Sequence, residues 1–164
     1  MKNLFIIRAL PGAGKSTIAD VIASASPGKS LVATTDDYPG LYSHTDDGIK
    51  FHGGDKVGSS DLPLIVVAHL ANQDLVKNAM TNSVETIVVP NTNVCRWEFQ
   101  TYLELGEFFG YRINVISLFD GGCTDEELFL RNTHGVPLEA IEAMRERFEH
   151  DWKNADPRPP YERG

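Results

Sequence analysis

The sequence predicts an α/β fold, with a parallel sheet of about four to five strands flanked by helices and a small helical lid. Three observations predict it. Strand-length apolar runs alternate with helix-length amphipathic runs along the chain. The first run, Leu4 to Arg8, leads without a break into a glycine-rich turn and a helix start, LFIIRALPGAGKST. The length, 164 residues, suits one domain with one sizeable core. Residues 1–155 read as that domain and 156–164 (DPRPPYERG) as a frayed tail.

Taken in order, Leu4 to Arg8 is the first, central strand. Lys15 to about Ala25 is its helix, with Ile18, Ala19, Val21, Ile22 and Ala25 as the apolar stripe and Ser26-Pro27-Gly28 as the stop. Ser30 to Thr34 is a second short strand, and Asp36 to Ser60 a long polar loop without periodicity, of a length that is usually functional or mobile. Asp61 and Pro63 open a helix that runs to about Met80. Glu85 to Val89 is the third strand. Asn93 reads as the cap of a helix from Val94 to about Phe109, ended by Gly110, and Tyr111 to Phe119 as the fourth strand. Thr124 and Glu127 have capping-box spacing for a short helix to Leu130, and a turn with Asn132, Gly135 and Pro137 leads to a last helix, Leu138 to about His150.

Composition narrows the function classes. Hydrophobic residues make up 41% and aromatic residues 9%, as in ordinary globular domains, and no apolar run has the length of a membrane span. MKNLFII lacks a cleavage site and passes straight into the turn, so it does not read as a signal peptide. Cys95 and Cys123 have no partners at metal spacing and read as reduced packing residues of a cytoplasmic protein. A net charge of −8 opposes broad binding to nucleic-acid polymer, while leaving room for a short strand or nucleotide in a local basic pocket.

Strand, tight turn and helix start together are the context of a phosphate-binding P-loop. Gly12, Ala13 and Gly14 let backbone N–H groups converge on phosphate oxygens, and the helix that follows adds its positive end. Lys15 reaches the terminal phosphates as a point charge, and the Ser16 hydroxyl completes a magnesium shell. Pro11, Gly12, Ala13, Gly14, Lys15, Ser16 and Thr17 are therefore the expected ATP-binding set, in a P-loop NTPase kinase fold. Ala9 stands where the pattern opens with glycine, and Pro11-Gly12 fixes the turn in its place.

Four more blocks accompany ALPGAGKST: Thr35-Asp36-Asp37-Tyr38, Ala68-His69-Leu70-Ala71-Asn72-Gln73, Asn91-Thr92-Asn93 with Trp97-Glu98, and Arg131-Asn132-Thr133-His134-Gly135-Val136-Pro137. In this order they resemble the polynucleotide-kinase-like P-loop kinases, over Leu4 to His150. That family includes the 5′-hydroxyl kinase domain of bacteriophage polynucleotide kinase and P-loop kinase domains of some ubiquitin-ligase-binding proteins. The resemblance implies that Asp36 is the general base that takes the proton of the attacking hydroxyl. A carboxylate at the C-terminal end of a parallel strand is placed for this; the plainer alternative is a helix cap or solvated loop acid. It implies that Arg131 is the lid arginine, whose planar fork suits the equatorial oxygens of a transferring phosphoryl group. It places His69 and Asn72, one helical turn apart, beside the acceptor. Asn132 and His134 read as residues that shape the lid or its turn.

Two departures from the family bear on the acceptor. The third strand runs into Val88-Val89-Pro90-Asn91-Thr92-Asn93, without the family's carboxylate. Asn91 can hold a magnesium-bound water or orient a neighbour but cannot act as a base. Pro39 stands where the polynucleotide kinase has an acceptor-binding arginine, and Asp46, Asp47 and Asp55 outweigh Lys50 and Lys56 in the loop. The expected activity is transfer of the γ-phosphoryl of ATP, with magnesium, to a 5′-hydroxyl of a nucleic-acid end or oligonucleotide. A nucleoside, nucleotide or other small hydroxyl acceptor is the first alternative, and a non-catalytic nucleotide-binding regulatory protein the second.

Overall fold

The computed structural model describes residues 1–58 and 61–164. Its first strand, β1 (Asn3–Ala9), feeds the glycine-rich turn and α1 (Lys15–Ser24). Then come β2 (Ser30–Val32), a 3-10 turn at Thr35–Asp37, and an antiparallel hairpin of β3 (Tyr42–Thr45) and β4 (Gly48–Phe51). The chain continues through α2 (Leu64–Thr81), β5 (Thr86–Asn91), α3 (Arg96–Phe108) and β6 (Arg112–Phe119) to the two lid helices, α4 (Asp125–Arg131) and α5 (Leu138–Arg147). The main sheet has four strands in the order β2-β5-β1-β6, all parallel, with Ile6 opposite both Val89 and Val115 and Leu31 opposite Ile87. β1 and β5 are central and buried on both faces, which is why they read as continuous apolar runs.

Alternation along β1 sorts the core. Leu4 and Ile6 pack with Val76, Met80, Phe99 and Tyr102 of α2 and α3, while Ile7 packs with Ala19 of α1 and Val88. A third cluster of Leu10, Val94, Leu128, Ile141 and Phe148 lies under the lid helices. Among the described residues, no helix is long and apolar enough to cross a membrane.

The polar stretch after Asp36 differs from its reading as a structureless loop. Residues 42–51 form the hairpin, with Tyr42 opposite Phe51 and His44 opposite Ile49. Ser43 Oγ lies 2.7 Å from His52 Nε2, and His52 Nδ1 lies 3.0 Å from Asp55, which ties the base of the hairpin to the next turn. Residues 59 and 60, at the end of the stretch, lie outside the described residues. Asn93 is not the cap of α3. Its backbone is left-handed, with φ 47°, and its amide donates to the Ile7 carbonyl at 2.8 Å, so α3 begins later, with Glu98 accepting from the Cys95 amide. The capping box of Thr124 and Glu127 is present at the start of α4. The terminal segment carries 3-10 turns at Trp152–Asn154 and Pro160–Glu162, with Asp156 paired to Arg158 and Arg163.

Candidate active site

The turn after β1 folds as the glycines require. Gly12 and Gly14 have φ of 83° and 97°, a region that side chains disfavour, and Gly14 is the residue from which α1 starts. A Cβ on Gly12 would stand 2.5 Å from the Leu128 carbonyl oxygen, and one on Gly121 would stand 3.0 Å from the Ala13 carbonyl oxygen. The P-loop is thus clasped by the lid helix α4 on one side and by the turn after β6 on the other. Pro11, Gly12, Gly14, Lys15, Ser16 and Thr17 face Arg131, Asn132, Thr133 and His134 across a cavity of about 200 Å³.

Lys15 makes no hydrogen bond or ion pair with the described residues, although burial pushes its pKa below the ordinary lysine value, with the charge of Asp36 pulling the other way. Arg131 closes the opposite wall, its Nη1 donating to Cys123 Sγ at 3.0 Å.

Asp36 sits in the 3-10 turn just past β2, at the C-terminal edge of the sheet, where parallel sheets hold their ligands. Its Oδ1 accepts from the Tyr42 hydroxyl at 3.1 Å, and its Oδ2 lies 3.3 Å from His134 Nε2. Burial and the Asp36 charge raise the Tyr42 pKa, which keeps its hydroxyl a donor. The rings of Tyr42 and His134 stack at 4.7 Å between centroids. His69 is held towards its neutral form by burial, against the opposing charge of Asp36. Lys15 and Arg131 therefore face one another across the cavity, and Asp36 lies at its edge through its contact with His134. Tyr42 and His134 join them, which reading the chain alone did not reveal. The hairpin that carries Tyr42 did have a signal: an Asp-Gly step between matched apolar positions.

Two residues expected at the acceptor serve the scaffold instead. Asn72 is buried, and its amide donates to the Ala33 carbonyl at 3.1 Å and to the Tyr102 hydroxyl at 2.8 Å. It ties α2 to the end of β2 and to α3. Asn91 is buried as well. Its Oδ1 accepts from the Thr35 hydroxyl at 2.8 Å and the Thr35 amide at 3.1 Å, so it orients the turn that carries Asp36. Its Nδ2 is buried without a partner.

Beneath the site lies Arg8, fully buried in β1. It donates to the carbonyls of Asn93, Val94 and Glu149 at 2.8, 2.8 and 2.9 Å and to Ser117 at 3.2 Å, between the rings of Phe99 and Phe148. Reading the sequence assigned it only to a strand.

The donor set fits a nucleotide with magnesium. Among the described residues, no group of three His, Cys, Asp or Glu side chains could hold a metal ion by itself. Ser16 is exposed at the cavity, next to Lys15. A magnesium site of one hydroxyl completed by phosphates and water is the arrangement this ion favours.

No family model matches the chain. It is 30% identical over 151 residues to NEDD4-binding protein 2 of Homo sapiens, a match that takes in 89% of this chain and 8% of that protein. The chain thus spans less than a tenth of that relative's length. Among solved structures, it aligns over 96% of its length with 47% of a chain of the Pnkp1/Rnl/Hen1 RNA repair complex, at a TM-score of 0.65 and 18% identity. Kti12 of Chaetomium thermophilum, in complex with ADP-AlF3, aligns over 96% of this chain and 86% of its own, at a TM-score of 0.65 and 15% identity. A gluconokinase of Sinorhizobium meliloti 1021 aligns over 96% and 78%, at a TM-score of 0.52 and 18% identity. The chain has the P-loop kinase fold.

Proposed function

We propose that this protein is an ATP- and magnesium-dependent phosphotransferase, with the 5′-hydroxyl of a nucleic-acid end or oligonucleotide as acceptor. One observation carries the reading: Lys15 and the P-loop face Arg131 across one cavity, and Asp36 stands at its edge through contact with His134. The likeness in fold to a chain of an RNA repair complex supports the choice of acceptor class.

The chain's own residues divide the work. Backbone amides from Gly12 to Thr17, with Lys15, hold the phosphates. Ser16 would hold magnesium, which would supply positive charge to offset that of the phosphates. Arg131, across the cavity from Lys15, would offer its guanidinium to the transferring group. Asp36 accepts the proton of the attacking hydroxyl as the acceptor oxygen bonds to the γ-phosphorus and the bond from that phosphorus to the bridging oxygen breaks. Asn91, through Thr35, and Tyr42 hold that carboxylate in place.

Of the two lysines in the stretch after Asp36, one already stands near a carboxylate. Lys56 lies 3.7 Å from Asp61, and Asp46 and Asp47 form the hairpin tip. Recognition therefore rests on the terminal one or two nucleotides. The test is labelled ATP presented with 5′-hydroxyl DNA, RNA, nucleosides and nucleotides, with Lys15→Ala as the control. Transfer to oligonucleotide ends alone supports the reading. Transfer to nucleosides alone moves it to the small-molecule class, and ATP retained without transfer to any acceptor moves it to a nucleotide-binding regulator.

A further inference from the structure

Three elements distant in sequence meet at Asp36: the turn after β2, the hairpin and the lid. His134 reaches it from the segment between the lid helices, which also carries Arg131 at its start. The next residue, Gly135, has φ 67°, and a Cβ there would stand 3.4 Å from the Ile49 carbonyl oxygen, so the lid lies directly on the hairpin. The His134 ring stacks on Tyr42 and brings its Nε2 to 3.3 Å from Asp36 Oδ2, while the Tyr42 hydroxyl donates to Oδ1. The side chains of His134 and Asp36 are 37% and 27% exposed, so the contact is partly shielded from solvent yet open to an acceptor.

We propose that His134 is the positioning residue of the base: it donates from Nε2 to Asp36, so that docking of the lid over the nucleotide and orientation of the carboxylate are one event. This rests on the phosphotransferase reading above. A carboxylate oxygen has two acceptor directions. With Tyr42 donating to one oxygen and His134 donating to the other as the lid docks, the carboxylate is fixed in plane and keeps free directions for the acceptor hydroxyl. An undocked lid leaves Asp36 held by Tyr42 alone, free to turn about its side-chain bonds. ATP without a docked lid then meets a poorly oriented base, which limits attack before Arg131 is in place.

Two variants separate the donor from the ring. His134→Phe keeps a flat ring for Tyr42 and removes the donor. His134→Gln removes the ring and keeps an N–H donor at a similar reach. Loss of a hydrogen bond to a charged group corresponds to roughly a tenfold to hundredfold change. The expected result is kcat lower by that factor in His134→Phe, with ATP affinity within about twofold of wild type, and most of the loss restored in His134→Gln. In an Asp36→Asn background, His134→Phe should add nothing further. Wild-type kcat in His134→Phe overturns the proposal because the ring alone would then suffice, and equal loss in both variants overturns it because a restored donor would then recover nothing.

Hydrogen exchange keeps the test independent of activity. Asp36→Asn should speed exchange of the amides at 133–136 while leaving α1 unchanged. Unchanged exchange there overturns the proposed latch. If wild type transfers phosphoryl to no acceptor, the phosphotransferase reading fails, and this exchange measurement alone decides whether Asp36 holds the lid.

Discussion

Around the P-loop, position is set by buried strands and by glycines that no other residue could replace. Gly12 and Gly14 sit at positive φ, Gly12 against the backbone of α4, and Arg8 anchors the strand below through three carbonyls of two other segments. Around Asp36, position is set by side chains. Tyr42 and, through Thr35, Asn91 hold the carboxylate or its turn by hydrogen bonds, and His134 lies 3.3 Å from it. The donor half is built before any ligand arrives, and the acceptor half depends on partly exposed contacts between a hairpin and a lid. Phosphate binding needs a fixed cradle, whereas a base facing an exchangeable acceptor has to be reachable. The same contrast says how each half should fail: lesions in the donor half should abolish binding or loosen the fold, and lesions in the acceptor half should slow the reaction in an otherwise intact protein.

The largest effect belongs to Lys15→Ala. Phosphoryl transfer should be lost with the charge that neutralises the phosphates, while circular dichroism stays that of wild type, since Lys15 makes no hydrogen bond or ion pair with the described residues. Wild-type turnover in this variant would sink the donor-half assignment.

Asp36→Asn probes the other half. The amide keeps the shape of the carboxylate but accepts no proton, so the rate should fall by roughly two to four decades, the usual worth of a positioned general base. ATP affinity should hold. A collapse of ATP affinity in titration calorimetry would instead make Asp36 a metal ligand or a structural group.

Arg8→Met sharpens the comparison from below. It leaves three buried carbonyls without their donor, and each such loss is costly, so unfolding in urea should show destabilisation on the order of 3–5 kcal/mol. The rate per folded molecule should change little, because Arg8 touches no part of the cavity. A large fall in rate at full stability would mean that the guanidinium tunes the P-loop rather than supporting it.

Arg131→Lys keeps the charge and loses the planar fork. The rate should fall by about one to two decades, with a smaller loss of ATP affinity, since paired donors matter most as charge moves onto the equatorial oxygens. Equal losses in rate and affinity would mean that Arg131 acts on bound ATP and not on the transition state.

How far the sequence revealed each half follows from the same difference. β1, the P-loop and α1 were legible because an apolar run, a glycine turn and a helix start are local and agree with one another. The Thr124–Glu127 cap was legible for the same reason, because both partners lie within one helical turn. Asn93 was misread because its local role as a cap lost to a distant partner, the Ile7 carbonyl. Asn72 was misread because helical spacing places it near His69 but does not show that its amide is already held by Ala33 and Tyr102. The hairpin was missed because one matched apolar pair, Tyr42 with Phe51, is a weak period, although Asp47-Gly48 marks the turn. His134 was set aside as a turn residue because its partners, Asp36 and Tyr42, are far away in the chain.

The smallest expected effect concerns acceptor length. If the acceptor half is held by single side chains and carries few free cations, it has no basic track for a phosphate backbone. Of the two lysines in the loop, Lys56 already lies near Asp61, and the hairpin tip is Asp46-Asp47. Only the first phosphates of the strand can then be neutralised, and each contributes a slope of about −0.7 in log affinity against log salt for a single strand. Binding of 5′-hydroxyl oligonucleotides should show a slope of roughly −1, and a dinucleotide should bind nearly as well as a longer strand. Fluorescence anisotropy on a length series at several salt concentrations measures both. Affinity that climbs with length, or a slope several times steeper, would place an extended cationic surface in the acceptor half. That result would break the comparison, because the acceptor would then be held by a preformed track as the nucleotide is held by the P-loop.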